Sequence, residues 1–229
     1  MLVHLLESTE IAPEVRHFRF EVAGVPEFGF RAGQFVTLRA ELEGKTVVRA
    51  YSLASAPDGN RFDLCLNRVQ EGAFSPYLFD LSAGQEVEMR GPFGRFVLQE
   101  PPADSLMIAT GTGIAPFRGM LRARLPVDRA HHYTLIFGVR YPHGLLYREE
   151  FEELAREYTH FRFLPTVTRP DSTWSGLRGR VQPHLLEALA REQPRHIYIC
   201  GLKEMVEEVR RLLAEHGVEK ERVFHERFD

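Results

Sequence analysis

Near Glu100-Pro101-Pro102-Ala103 the patterning of the chain changes, and that change constrains the fold more than any other feature. Before it, residues 15–20, 34–39, 46–52, 61–69 and 86–90 read as short strands. Phe62, Leu64 and Leu66 alternate there with Asp63, Cys65 and Asn67, the period of a half-buried strand. Turn clusters such as Pro57-Asp58-Gly59-Asn60 and Ser82-Ala83-Gly84 separate them. Several short strands at this spacing predict a small antiparallel barrel. After the change, apolar runs at 106–110, 133–139, 161–167, 196–200 and 223–228 alternate with helical stretches at about 116–124, 147–157, 182–191 and 203–216. That alternation predicts a doubly wound parallel sheet. The expected fold class is therefore β followed by α/β, with one domain over 1–101 and a second over 102–229.

Composition narrows the function classes. No apolar run approaches a membrane span, and a net charge of -3 gives no general pull toward nucleic acid or a membrane surface. Glu7, Glu10 and Glu14 interrupt the first twenty residues, so no signal peptide is expected. Two cysteines, Cys65 and Cys200, are too few for a disulfide framework or an iron–sulfur cluster, which suits a reducing, cytoplasmic setting. The ten histidines have no metal-ligand spacing, so no metal site is expected, and the adjacent pair His131-His132 is expected to be solvated.

Five short motifs carry chemistry. The strand at 106–110 runs into Gly111-Thr112-Gly113-Ile114-Ala115-Pro116. A glycine turn at the end of a first parallel strand lets backbone approach a pyrophosphate, and the following helix directs free N–H groups at it. Pro116 suits a first helical turn. The second strand ends at Arg140, where an acid would favour ribose hydroxyls; arginine suits a 2′-phosphate. Thr168-Arg169 follows the third strand, and Gly179-Arg180 lies in the next loop. Arginine is abundant in this chain, so surface solvation of each remains open from the residues alone. Arg49-Ala50-Tyr51-Ser52 alternates on a strand, offering a guanidinium for phosphate and a ring for a flat heterocycle. Gly72-Ala73-Phe74-Ser75-Pro76 reads as a helix start, with Ser75 as N-cap and Pro76 in the first turn. Cys200-Gly201 ends the fourth parallel strand, as part of a ligand crevice or as a buried structural thiol.

In this order the motifs resemble the ferredoxin–NADP reductase family, over about residues 20–228, and most closely its bacterial two-domain members. The resemblance implies an FAD-binding barrel, an NADP-binding domain, and transfer from NADPH through FAD to a one-electron carrier, ferredoxin or flavodoxin. It implies that Arg49 holds the flavin pyrophosphate and that Tyr51 stacks on the isoalloxazine beside Ala50. Ser52 would support N5, Cys65, Leu66, Asn67 and Val69 would line the flavin, and Gly72, Ala73, Phe74 and Ser75 would meet its phosphates. Gly111, Thr112, Gly113, Ile114, Ala115 and Pro116 would hold the nucleotide pyrophosphate, Thr112 also lying near the flavin. Arg140, Thr168, Arg169 and Arg180 would meet the 2′-phosphate. Cys200, with Gly201, would sit at the nicotinamide C4, and Glu226 would relay protons, so Ser52, Cys200 and Glu226 are the catalytic candidates. Phe228 is expected on the flavin face opposite Tyr51, or as a core ring of the last strand. The alternatives are an NADH-dependent reductase component of an oxygenase, a free-flavin or ferric reductase, and a non-catalytic flavin- or nucleotide-binding subunit.

Overall fold

The computed structural model describes residues 1–228 and contains two compact units. The first comprises Met1–Val97 and Ala115–Ala123; the second comprises Leu98–Ile114 and the chain from Arg124 onward.

The first unit is built on six strands: β1 (Leu2–Ala12), β2 (Val15–Val22), β3 (Phe35–Leu42), β4 (Lys45–Ser52), β5 (Arg61–Asn67) and β6 (Glu86–Phe93). They pair antiparallel in the order β4-β3-β6-β1-β2-β5. A bridge between Leu53 and Leu64 joins the two ends, giving the expected barrel. Its interior is aromatic: Phe20 lies 5.6 Å from Phe62, and Phe28 5.6 Å from the same ring. A short helix, α1 (Phe74–Phe79), adds Phe74 and Leu78 to this core. The strand β1 has no counterpart among the sequence-predicted strands. Its register shifts between Leu5 and Glu7 and again between Glu10 and Ala12, which breaks the two-residue period by which strands are read.

Strand β5 departs from the expected alternation. Asp63 and Cys65 are as buried as Phe62 and Leu64. The second face is covered by α2 (Ile114–Arg124), whose residues 115–123 belong to this unit. A Cβ on Gly119 would lie 2.5 Å from the Ser55 carbonyl oxygen, so glycine permits the helix to press this close.

The second unit holds the parallel strands β7 (Ser105–Thr110), β8 (Tyr133–Val139), β9 (Phe161–Val167), β10 (Leu177–Arg178), β11 (His196–Leu202) and β12 (Val223–Phe228), in the order β10-β9-β8-β7-β11-β12. From β7 the chain proceeds outward to β8, β9 and β10, then crosses to β11 and β12 on the other side. A doubly wound sheet opens its ligand crevice at such a reversal, outside the strands' carboxyl ends. Helices α4 (Val181–Glu192) and α5 (Lys203–Glu215) bury Val181, Leu185, Val206 and Val209 against Ile108, Ile136 and Ile199. Helix α3 (Arg148–Glu157) brings Phe151 within 5.2 Å of Phe163, whose position on β9 faces the opposite side. His131 is not simply solvated: it bonds Asp128 at 3.0 Å, and that buried carboxylate also accepts the Tyr133 hydroxyl at 2.6 Å. No helix among the described residues is long and apolar enough to cross a membrane.

Candidate functional site

Within the barrel unit, β4 presents Tyr51 half-buried, its ring 6.2 Å from that of Phe74. Burial raises the phenol pKa above its ordinary value, against the pull of nearby Arg49. Arg49 is exposed, and its guanidinium donates only to the Val48 carbonyl at 2.8 Å, with no carboxylate partner among the described residues. After Ser52 the motif is pinned: Leu53 N–H donates to Gln34 and Ala54 N–H to the Asp63 carbonyl. Cys65 and Leu66 are buried, whereas Asn67 and Val69 are exposed.

The segment from Val69 to Ser75 folds back on itself. Gly72 N–H donates to the Val69 carbonyl at 2.9 Å, and Val69 N–H donates to the Ser75 hydroxyl at 2.8 Å. This corrects one expectation. Ser75 is not the N-cap of α1; that position is Ala73, which has no side-chain cap, and Pro76 is the third helical residue. The Ser75 hydroxyl is used by Val69, and proline is tolerated at Pro76 because the first four helical N–H groups have no intrahelical acceptor. An unneutralised guanidinium, a half-buried tyrosine ring and an exposed valine fit a flat, anionic dinucleotide such as FAD.

One part of this unit escaped sequence reasoning. Asp63 on β5 accepts from Arg19 Nε at 3.0 Å and from Arg118 of α2 at 3.0 Å, with His17 at 3.5 Å. The Arg118 guanidinium also donates to the Ala54 carbonyl at 2.9 Å. Burial by itself would push the Asp63 carboxyl up, but Arg19, His17 and Arg118 together outweigh it and hold it below the usual range. The cluster anchors the chain just past Arg49–Ser52. Its one sequence signal was an aspartate at a strand position, which alternation assigned to solvent.

In the second unit the glycine motif and Cys200-Gly201 come together. Thr110 is extended, Gly111–Gly113 form a 3-10 turn, and α2 begins at Ile114 with Pro116 in its first turn. Gly111 takes φ +54°, which side chains resist. A Cβ on Gly113 would lie 2.4 Å from the Cys200 carbonyl oxygen, and one on Gly201 would lie 2.3 Å from Thr110 Oγ1. Thr110 Oγ1 is buried without a hydrogen-bond partner among the described residues. A cradle that any Cβ would fill, beside an unsatisfied hydroxyl at the sheet's switch point, fits a nucleotide. Cys200 is fully buried. Burial pushes its thiol well up, and Glu226, opposite it on β12, adds to the shift. It is therefore held as a neutral, packed thiol and not as a thiolate. Phe228 pairs with Leu202 at the end of β12 and is half-buried.

The expected 2′-phosphate residues sit at the carboxyl ends of three adjacent strands. Arg169 N–H donates to the Arg140 carbonyl at 2.8 Å, and Thr168 N–H and hydroxyl both reach the Val139 carbonyl. Arg140 has no ion-pair partner among the described residues. Arg180 follows β10 but leans toward Glu208 of α5, 3.8 Å away.

Residues 2–98 match the oxidoreductase FAD-binding domain and residues 107–211 the oxidoreductase NAD-binding domain. The chain is 44% identical to the ferredoxin–NADP reductase B of Sorangium cellulosum, covering 98% of this chain and 96% of that protein. The chain belongs to the ferredoxin–NADP reductase family. It is an oxidoreductase flavoprotein that uses FAD and a nicotinamide nucleotide. A glycine betaine monooxygenase reductase subunit of Pseudomonas aeruginosa is 32% identical over 98% of this chain, which spans 64% of that protein. Among solved structures, the Amycolatopsis cytochrome P450 reductase superposes with a TM-score of 0.89 at 30% identity, covering 99% of this chain and 68% of that one.

Proposed function

We propose that this protein is an NADPH-oxidising reductase serving a separate one-electron carrier protein of the ferredoxin or flavodoxin type in the cytoplasm. When bound, FAD would supply the hydride-accepting and one-electron redox chemistry. Arg49 holds the flavin pyrophosphate by charge-assisted hydrogen bonds, and Tyr51 presents its ring to the isoalloxazine. Ser52 supports N5 as a hydrogen-bonding neighbour. The Gly111–Ile114 turn directs backbone N–H groups at the nucleotide pyrophosphate. Cys200 packs behind the nicotinamide end as a neutral thiol, and Glu226, its neighbour on β12, serves as the proton relay. The two free, buried cysteines suit a reducing compartment.

The observation that carries the choice of NADPH is the pair Arg140 and Arg169, joined by a backbone hydrogen bond at the ends of adjacent strands. Arg140→Ala should lower kcat/KM for NADPH by roughly ten- to hundredfold, about 1.5–3 kcal/mol, and spare NADH. Anaerobic reduction of the purified flavoprotein by each nucleotide, followed by trials of ferredoxins and flavodoxins, tests the whole reading; a wild type preferring NADH would overturn it. The second reading, an NADH-dependent oxygenase reductase, is favoured by the likeness to the glycine betaine monooxygenase reductase subunit. Arg49→Ala should lower FAD occupancy after desalting, because a phosphate contact worth about 1.5–3 kcal/mol is lost. Unchanged flavin absorbance per protein would remove Arg49 from the site.

A further inference from the structure

Past Arg140 the chain turns through Tyr141 and the 3-10 turn Pro142–Gly144, held by Gly144 N–H donating to the Tyr141 carbonyl at 3.0 Å. The turn stacks His143 on Tyr141, with ring centroids 5.4 Å apart and planes 15° from parallel. Tyr141 nevertheless remains 39% exposed, a large ring on a loop with surface left open. Its hydroxyl accepts from the Arg169 guanidinium at 3.3 Å. Asp171, two residues past Arg169, has its Oδ1 engaged by the Thr173 N–H and hydroxyl. A stacked aromatic pair and two guanidinium-bearing residues thus converge at the carboxyl ends of β8 and β9.

We infer that Tyr141, backed by His143, is the shelf on which the adenine of the nucleotide stacks, and that its hydroxyl is a positioning group aiming Arg169 at the 2′-phosphate. This rests on the reading that Arg140 and Arg169 receive that phosphate. The ring supplies an apolar face of the size of a purine, and His143 fixes its plane. A guanidinium already tethered to a phenol loses less freedom on meeting phosphate. Adenine and 2′-phosphate are then read by one residue pair, ring and guanidinium together.

The test uses the purified full chain and calorimetric dissociation constants for three probes. These are 2′,5′-ADP (adenine with 2′-phosphate), 5′-AMP (adenine without it) and nicotinamide mononucleotide (no adenine). Tyr141→Leu should weaken 2′,5′-ADP and 5′-AMP alike, by about ten- to hundredfold, and leave nicotinamide mononucleotide unchanged. Tyr141→Phe should keep 5′-AMP binding and weaken 2′,5′-ADP by about tenfold, because only the tether is lost. Melting temperatures of both variants should match the parent, since the ring sits on an exposed loop. If Tyr141→Leu leaves 5′-AMP unchanged while Arg169→Ala still weakens 2′,5′-ADP, the shelf is wrong and the phosphate reading stands. If Arg169→Ala affects both adenine probes equally or neither, the phosphate reading fails, and 5′-AMP loss in Tyr141→Leu still upholds the shelf. Tyr141→Phe binding both adenine probes like the parent overturns the positioning role.

Discussion

Replacing Asp63 by alanine should destabilise the barrel unit by about 3–5 kcal/mol, the usual consequence of removing one member of a buried ion pair. The carboxylate is shared by Arg118, Arg19 and His17, so its loss removes the counter-charge from a guanidinium that is itself buried. Arg118→Met should cost less, because Asp63 keeps Arg19 at 3.0 Å. Urea denaturation at neutral pH measures both; equal, small effects would show that the cluster is solvated and adds nothing. The effect should also depend on pH in a fixed direction. The folded carboxyl lies below its ordinary value, so the unfolded chain takes up its proton first as acid is added. The stability that Asp63 supplies is present in full above the unfolded value of about 3.9 and is lost as pH falls through the lower, folded value. The gap between parent and Asp63→Asn should therefore be constant from neutral pH to about pH 5 and close below about pH 4.

Gly113→Ala should abolish most nucleotide binding. The new methyl would stand 2.4 Å from the Cys200 carbonyl oxygen, 2.6 Å from its carbon and 2.7 Å from the Gly201 Cα. Those are backbone atoms on a central strand pair, so the Gly111–Ile114 turn must move instead. Overpacking of this kind costs about 1–3 kcal/mol of stability. Displacing oriented N–H groups by about 1 Å should cost a further hundredfold or so in affinity and turnover. Gly29→Ala is the control, since nothing lies within 4 Å of a Cβ there. A Gly113→Ala protein with parental NADP affinity would mean that the turn does not contact the pyrophosphate.

Features with short-range physical causes were legible in the chain. Period-two and strand–helix patterning predicted the barrel and the parallel sheet. The turn from Gly111 to Pro116 was legible for the same reason: its positive φ and its proline in the first helical turn are set by residues adjacent in sequence. Period reading failed at β1, where two register shifts interrupt the alternation. The helix-start signal failed at Ser75, whose hydroxyl satisfies the Val69 N–H rather than the end of its own helix.

The sequence by itself determined the two-part architecture, the glycine-rich turn and the placement of Arg49, Tyr51, Arg140 and Arg169 at strand ends, because backbone preferences and burial periods act within a few residues. Only the tertiary structure decided that Asp63 is buried, since its partner Arg118 lies on a helix 55 residues away, and pairing across that distance turns a surface acid into a core anion. Likewise only the folded sheet brought Gly113 against Cys200 and drew Arg169 to Tyr141. Those contacts depend on which parallel strands become neighbours, a choice settled by the packing of whole strands and helices and not by any local run of residues.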